Sequence, residues 1–177
     1  MERIKKALFE QDVLELAPRL IGKLIVRKYD DGVIEKFRIT ETEAYRGEED
    51  LACHASKGRT PRTEVMYHQG GNVYVYLIYG KYWMLNFVTN ATDYPAAVLI
   101  RGVEEVSGPG RLGSRLKLDK TFYGEDLENS SRIWLEDDGC RPSYSRFRRI
   151  GVDYAGEWAK KDWRFVVKPR SLTFVPF

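Results

Sequence analysis

Two runs of β-favouring residues, Asn72–Tyr79 and Tyr82–Thr89, stand on either side of the dipeptide Gly80-Lys81. A Gly-X pair between such runs is the signature of a type II′ hairpin, which predicts two neighbouring antiparallel strands. The rest of the chain supplies partners for them. Leu24–Lys28 and Val33–Tyr45 flank the turn Asp30-Asp31-Gly32, a second hairpin, and Ala96–Val103 follows the turn Asp93-Tyr94-Pro95. Arg132–Glu136, Ser145–Ile150 and Trp163–Val167 read as further strands. Apolar residues recur at helical spacing only over residues 11–22, where Asp12 is placed to cap the first turn, Pro18 keeps the helix short, kinked or late, and Gly22 ends it. Residues 107–118 read as a turn and a short basic helix, and 155–161 as a loop or single turn. Arg46–Gly71 loses periodicity and gains Gly, Thr, Pro and charge, a long loop of the kind that is often functional, with one helical turn placed after Pro61. The sum predicts a single α+β domain over residues 1–177: a curved, mostly antiparallel β-sheet with flanking short helices and long functional loops.

Composition narrows the function classes. A net charge of +3 and a pI near 8.8 permit a polyanionic partner without demanding one. Cys53 and Cys140 form no CxxC or Cys/His cluster, so the sequence supports neither a disulfide framework nor a zinc or iron–sulfur site. The polar start Glu2-Arg3-Ile4-Lys5-Lys6 is unlike a secretory signal, and no apolar run approaches the ~18 residues of a membrane span. A soluble intracellular domain is expected. P-loop, GxGxxG, HExxH and GxSxG motifs are absent. Glu48-Glu49-Asp50 lacks convergent geometry for a cation and reads as solvated.

Four features could carry chemistry. Along Val33–Tyr45 the odd positions hold Phe37, Ile39, Glu41, Glu43 and Tyr45, so if the first two face the core, two carboxylates follow them inward. A buried carboxylate needs a partner or takes up a proton. Arg101 shares its face with Ala97, Leu99 and Val103 and so points inward too. Glu43 and Arg101 are then either a pair that holds and deprotonates a water or a structural ion pair between strands. Tyr45, Tyr74, Tyr76 and His54 are either a stacking surface for a planar ligand or ordinary strand and loop composition. Tyr79, next to the hairpin turn, is either a wedge for a duplex or a ring folded back over the sheet. Gly58-Arg59-Thr60-Pro61-Arg62-Thr63 gathers guanidiniums and hydroxyls as a phosphate site would, and Arg111, Arg115, Lys117, Arg141, Arg146, Arg148 and Arg149 add basic patches or merely a solvated face.

Taken together, Thr42-Glu43-Ala44-Tyr45, His54, Gly58-Arg59-Thr60-Pro61-Arg62, Tyr74 through Gly80, Asn86, Val98-Leu99-Ile100-Arg101 and Gly156-Glu157-Trp158-Ala159 resemble the 3-methyladenine (alkyladenine, N-methylpurine) DNA glycosylase family. The likeness runs in order from about Leu16 to Val167. It implies a DNA repair glycosylase that flips alkylated purines from double-stranded DNA and hydrolyses the N-glycosidic bond without cofactor or metal. Nothing in the sequence requires an oligomer, and a monomer is expected. Deaminated and etheno purines would be further substrates. By position, Glu43 would be the general base and Arg101 would help hold the water. Tyr45, His54 and Tyr76 would enclose the base, and Asn86 would clash with the 2-amino group of guanine. Tyr79 would be the wedge, and Arg59, Thr60 and Arg62 would reach phosphates. No lysine is placed for a Schiff base, so a monofunctional hydrolase that leaves an abasic site is expected. The setting would be the prokaryotic cytoplasm at the nucleoid, or a eukaryotic nucleus. Two departures from the family pattern stand out: Glu104-Glu105-Val106 joins the strand ending near Val103 directly to Ser107-Gly108-Pro109, where relatives of higher organisms carry a longer helical segment, and Lys81 makes the hairpin tip cationic. The alternative from another class is a catalytically silent binding module for damaged DNA or structured RNA. A pure binder, however, gains nothing from a buried carboxylate beside a polyanion.

Overall fold

The computed structural model describes residues 1–168 of the chain, so the end of the expected domain, 169–177, lies outside the described residues. Among the described residues ten strands pair antiparallel throughout: β1 (Glu2–Arg3), β2 (Leu24–Lys28), β3 (Ile34–Arg46), β4 (Val73–Ile78), β5 (Tyr82–Thr89), β6 (Ala96–Val103), β7 (Val106–Ser107), β8 (Ile133–Asp137), β9 (Tyr144–Phe147) and β10 (Arg164–Val167). The sheet runs β1-β8-β2-β3-β6-β5-β4, with β7 on β6 and with β10 joining β3 to β9. Two short α-helices, α1 (Val13–Leu20) and α2 (Pro109–Arg115), complete an α+β architecture. No helix among the described residues is long and apolar enough to cross a membrane.

α1 forms where its spacing predicts. Val13, Leu16, Ala17 and Leu20 make one buried stripe, each larger side chain gaining about 2 kcal/mol from burial, and Asp12 accepts the Leu14 amide at 2.8 Å as the N-cap. Pro18 falls in the last turn, where only one backbone hydrogen bond is lost. The stripe packs on a core that includes Ile25, Phe37, Ile39, Ala44, Phe87, Val98 and Ile100.

β3 is the hub. It pairs with β2 through Ile34–Arg38, with β6 through Ile39–Arg46 and with β10 through Glu41–Glu43. Its register against β6 shifts between Ile39 and Thr42, and this corrects the simple alternation read from the sequence. Phe37 and Ile39 face the core before the bulge, whereas Thr42 and Ala44 are buried against it afterwards, with Thr42 Oγ1 donating to the Ala17 carbonyl of α1 at 2.9 Å. Val103 pairs with Ile39 on the core side for the same reason, leaving Ala97, Leu99 and Arg101 on the other face. The bulge thus turns Glu41, Glu43 and Tyr45 away from the hydrocarbon core.

That second face is covered by the long loop, which contains two short 3-10 turns, His54–Lys57 and Glu64–Tyr67. Cys53, Ala55, Val65, Met66 and Tyr67 pack there on Tyr74, Val88 and Ala97. The loop is therefore a layer of the fold. Asp50 is a second correction: Glu48 and Glu49 are exposed, but Asp50 is fully buried in an ion pair with Arg149, which itself belongs to no surface patch.

The β4–β5 hairpin holds its expected strands but a different turn. The last pair is Ile78 with Tyr82, the Lys81 amide donates to the Ile78 carbonyl at 3.0 Å, and Tyr79 and Gly80 take φ of 54° and 63°. The left-handed pair is Tyr79-Gly80, not a type II′ Gly80-Lys81. This register sets Tyr74 opposite Asn86 and Tyr76 opposite Met84, all on the loop-covered face.

Candidate active site

A cavity of about 260 Å³ opens between this sheet face, the long loop and residues 150–154. That is near the lower end of small-molecule sites, about 300 Å³. Tyr45, His54, Tyr76, Asn86, Leu99 and Arg101 line it. Tyr79, Ile150 and Tyr154, all substantially exposed, form its rim.

Glu43 stands directly behind the wall, with no exposed side-chain surface. Its Oε2 accepts the Tyr45 hydroxyl at 2.7 Å and its Oε1 accepts the Ile150 amide at 2.8 Å. Arg101 Nε lies 3.6 Å from Oε1 and donates to Glu41 at 3.1 Å, and Glu41 also accepts from Arg164 at 2.9 Å. All three groups next to Glu43 line the cavity: Tyr45, Ile150 and Arg101. Burial raises the Glu43 pKa, outweighing the opposing pull of Arg101 and of the hydrogen bonds from Tyr45 and Ile150. The result is a fixed carboxylate with more affinity for a proton than an exposed one, as general-base work requires.

The aromatic walls are neutral. Burial lowers the His54 pKa to about 4, with Arg62 and Lys57 adding repulsion, so the imidazole is uncharged at neutral pH. His54 Nδ1 is 2.8 Å from the Tyr74 hydroxyl, and its ring centroid lies 4.5 Å from that of Tyr76, edge to face. Burial pushes the Tyr76 hydroxyl up to about 12 and that of Tyr45 well above its usual value. Asn86 is buried, its amide nitrogen donating to the Tyr74 and Met84 carbonyls at 3.2 and 3.3 Å. Asn86 is thereby fixed in the cavity wall.

At the rim, Tyr79 is 90% exposed and held in a left-handed conformation that costs a residue with a Cβ about 1–2 kcal/mol. Arg62 lies over the Tyr76 ring, 5.3 Å from its centroid, and lines the cavity. Arg59 is farther out, paired with Glu64 at 2.7 Å and Asp93 at 3.0 Å, while Thr60 closes a turn with Thr63. The geometry therefore brings together Glu43, Arg101, Tyr45, His54, Tyr76, Asn86, Tyr79 and Arg62, and leaves Arg59 and Thr60 outside the cavity lining. Sequence reasoning missed the Ile150 amide, which has no side-chain signal. It also missed Glu41 and Arg164 as supports of Arg101, and the buried Arg149–Asp50 pair.

Comparison with known proteins follows the same lines. The model of the methylpurine-DNA glycosylase family matches residues 7–171. A Methanocella arvoryzae protein described as "Putative 3-methyladenine DNA glycosylase" is 42% identical, covering 95% of this chain and 94% of its own length. Proteins with the same description from Psychrobacter cryohalolentis (42% identical; 90% and 88% covered) and Legionella pneumophila strain Corby (39%; 95% and 96%) are similar over comparable lengths.

Proposed function

The chain belongs to the methylpurine-DNA glycosylase family, and from that premise we propose that it excises alkylated purines from duplex DNA by base flipping and a water activated by Glu43. The observation that carries the reading is the unexposed Glu43 carboxylate, hydrogen-bonded by Tyr45 and Ile150 immediately behind an aromatic cavity. A purine inside a duplex cannot be reached, so it must leave the stack at a cost of a few kcal/mol. Tyr79 enters the space it vacates. Arg62, with Arg59 and Thr60 farther out, holds the backbone phosphates.

Alkylation at N3 or N7 makes the purine cationic. The Tyr45 and Tyr76 rings attract that charge, an interaction of about 2 kcal/mol or more once desolvated, and a neutral His54 adds no repulsion. Asn86 excludes the 2-amino group of normal guanine. Glu43, with Arg101, orients a water and takes its proton as the oxygen bonds to C1′ of the deoxyribose. The bond from C1′ to the purine nitrogen breaks, and its electron pair leaves with the base, which departs neutral. Among the described residues no lysine lines the cavity, which supports water as nucleophile and an abasic product on an intact strand. Deaminated and etheno purines, which lack the fixed charge, are slower substrates on this account.

The test is a duplex carrying a single 3-methyladenine or 7-methylguanine. Release of the free methylated base with an uncut abasic strand supports the reading. Tight binding with no release would favour the silent module, and a strand nick formed with the enzyme alone would exclude the monofunctional reaction.

A further inference from the structure

Behind the cavity lies an ion pair that the reaction above does not use. Arg149 and Asp50 have no exposed side-chain surface. Arg149 Nη1 donates to Asp50 Oδ2 at 2.6 Å and Nη2 to Oδ1 at 2.9 Å, a two-toothed contact. The same nitrogens donate to the Ala44 carbonyl of β3 at 2.9 Å and the Trp158 carbonyl at 3.1 Å. The guanidinium also lies over the rings of Tyr45 and Trp163, 4.8 and 5.0 Å from their centroids. Asp50 in turn accepts the amides of Arg46 and Ala52, fixing the loop that leads to His54.

A buried ion pair is weak evidence of stability, because apolar residues of equal volume do as well or better. What distinguishes this one is what it touches. The two donors to Glu43 are the Tyr45 hydroxyl and the Ile150 amide. Arg149 lies against the first ring and is the residue that immediately precedes the second amide. Its bond to the Ala44 carbonyl fixes the Ala44–Tyr45 peptide, next to Glu43 in β3. One guanidinium thus anchors both donors, while Asp50 cancels its charge.

We propose that Arg149 and Asp50 are positioning residues for the proton-accepting carboxylate: Arg149 places both hydrogen-bond donors of Glu43, and Asp50 keeps the Arg149 charge from holding Glu43 ionised too strongly to accept a proton. This inference rests on the function proposed for Glu43. The other groups facing Glu43 are Glu41 and Tyr45 on β3, Tyr76 on β4, Arg101 on β6 and Arg164 on β10, and none of them changes in the variants below.

The two halves of the pair act on Glu43 with opposite sign. Asp50→Asn leaves an uncompensated positive charge, which favours the carboxylate and moves the acid limb of the pH–rate profile to lower pH. Arg149→Gln leaves an uncompensated negative charge and moves that limb to higher pH. A pair with only a structural role would slow both variants without moving the limb in opposite directions. The experiment is single-turnover release of 7-methylguanine against pH for wild type, both variants and Glu43→Gln, with duplex affinity measured alongside. Opposed displacements with little change in affinity are expected. An unmoved limb in folded Asp50→Asn and Arg149→Gln overturns the inference. If either fails to fold, Arg149→Lys, which keeps the charge but loses the fork and the stack that place both donors, decides: a limb displaced to higher pH, as those donors loosen from Glu43, is expected, and an unmoved limb overturns it. A Glu43→Gln enzyme as active as wild type removes the underlying reading of Glu43 itself.

Discussion

Glu43 lies behind the cavity wall and His54 in it, and burial moves their pKa values in opposite directions, up for the carboxyl and down for the imidazole, which makes the site readable by pH. Burial raises Glu43 above its ordinary 4.5, so if Glu43 is the base the rate of base release should climb as this carboxyl ionises, with an apparent pKa above that of an exposed glutamate. His54 is lowered from 6.5 to about 4, so the unfolded chain takes up a proton that the folded protein refuses. Its contribution to stability is intact above the unfolded pKa and is lost as pH falls from 6.5 towards 4. His54→Gln removes that loss, so wild type should lose Tm relative to the variant between about pH 7 and about pH 5; parallel Tm curves would contradict the assignment. Glu43 and Tyr45 could be read as neighbours on one face, because alternation puts residues two apart on the same side of a strand, and Arg101 likewise beside Ala97 and Leu99; that this face is opposite Phe37, Ile39 and Val103 could not, because the bulge in β3 reverses it. Asp50 and Arg149 were not legible, since an acidic run and an arginine-rich stretch look solvated until long-range contacts bring their members together.

At the scale of elements, the hairpin concentrates the conflict between folding and function. Tyr79 is exposed and left-handed, a combination that packing does not explain. Tyr79→Gly removes the strained Cβ, so Tm should stay level or rise while release from a paired lesion slows. The loss should shrink for an unpaired lesion, which costs less to extrude. A variant less stable than wild type and equally active on both would contradict the role of this residue. α2 makes the opposite case: a Cβ at Gly113 would overlap the Trp83 carbonyl oxygen of β5, so Gly113→Ala should cost about 1–3 kcal/mol, measured by thermal unfolding. The strands of both hairpins were legible from β-favouring runs and turn residues. The bulge at Ile39–Thr42 and the two-residue strands β1 and β7 were not, because register breaks and short pairings depend on partners far along the chain.

For the whole molecule, a net charge of +3 makes the location of the cations matter more than their number. Arg59 already satisfies Glu64 and Asp93, whereas Arg62 lies exposed over Tyr76 at the cavity. Arg62→Ala should therefore flatten the dependence of duplex affinity on salt by about one unit of log–log slope, and Arg59→Ala by less. Equal slopes for wild type and Arg62→Ala would exclude a phosphate contact there. The sheet class and most strand positions followed from the sequence, but not the way the 46–71 loop forms a second layer, since its burial rests on contacts such as Tyr67 with Glu48 and Cys53 with the sheet.

The most direct test of the account is single-turnover release of 7-methylguanine from duplex DNA by wild type and Glu43→Gln at neutral pH. The variant keeps the shape of the side chain and removes a buried carboxyl whose ionisation opposes folding as pH rises past about 4.5, so its Tm should match or exceed that of wild type. If Glu43 is the base, duplex affinity should be unchanged and release slowed by about 10²–10⁴-fold. Release at the wild-type rate by a folded variant would contradict it.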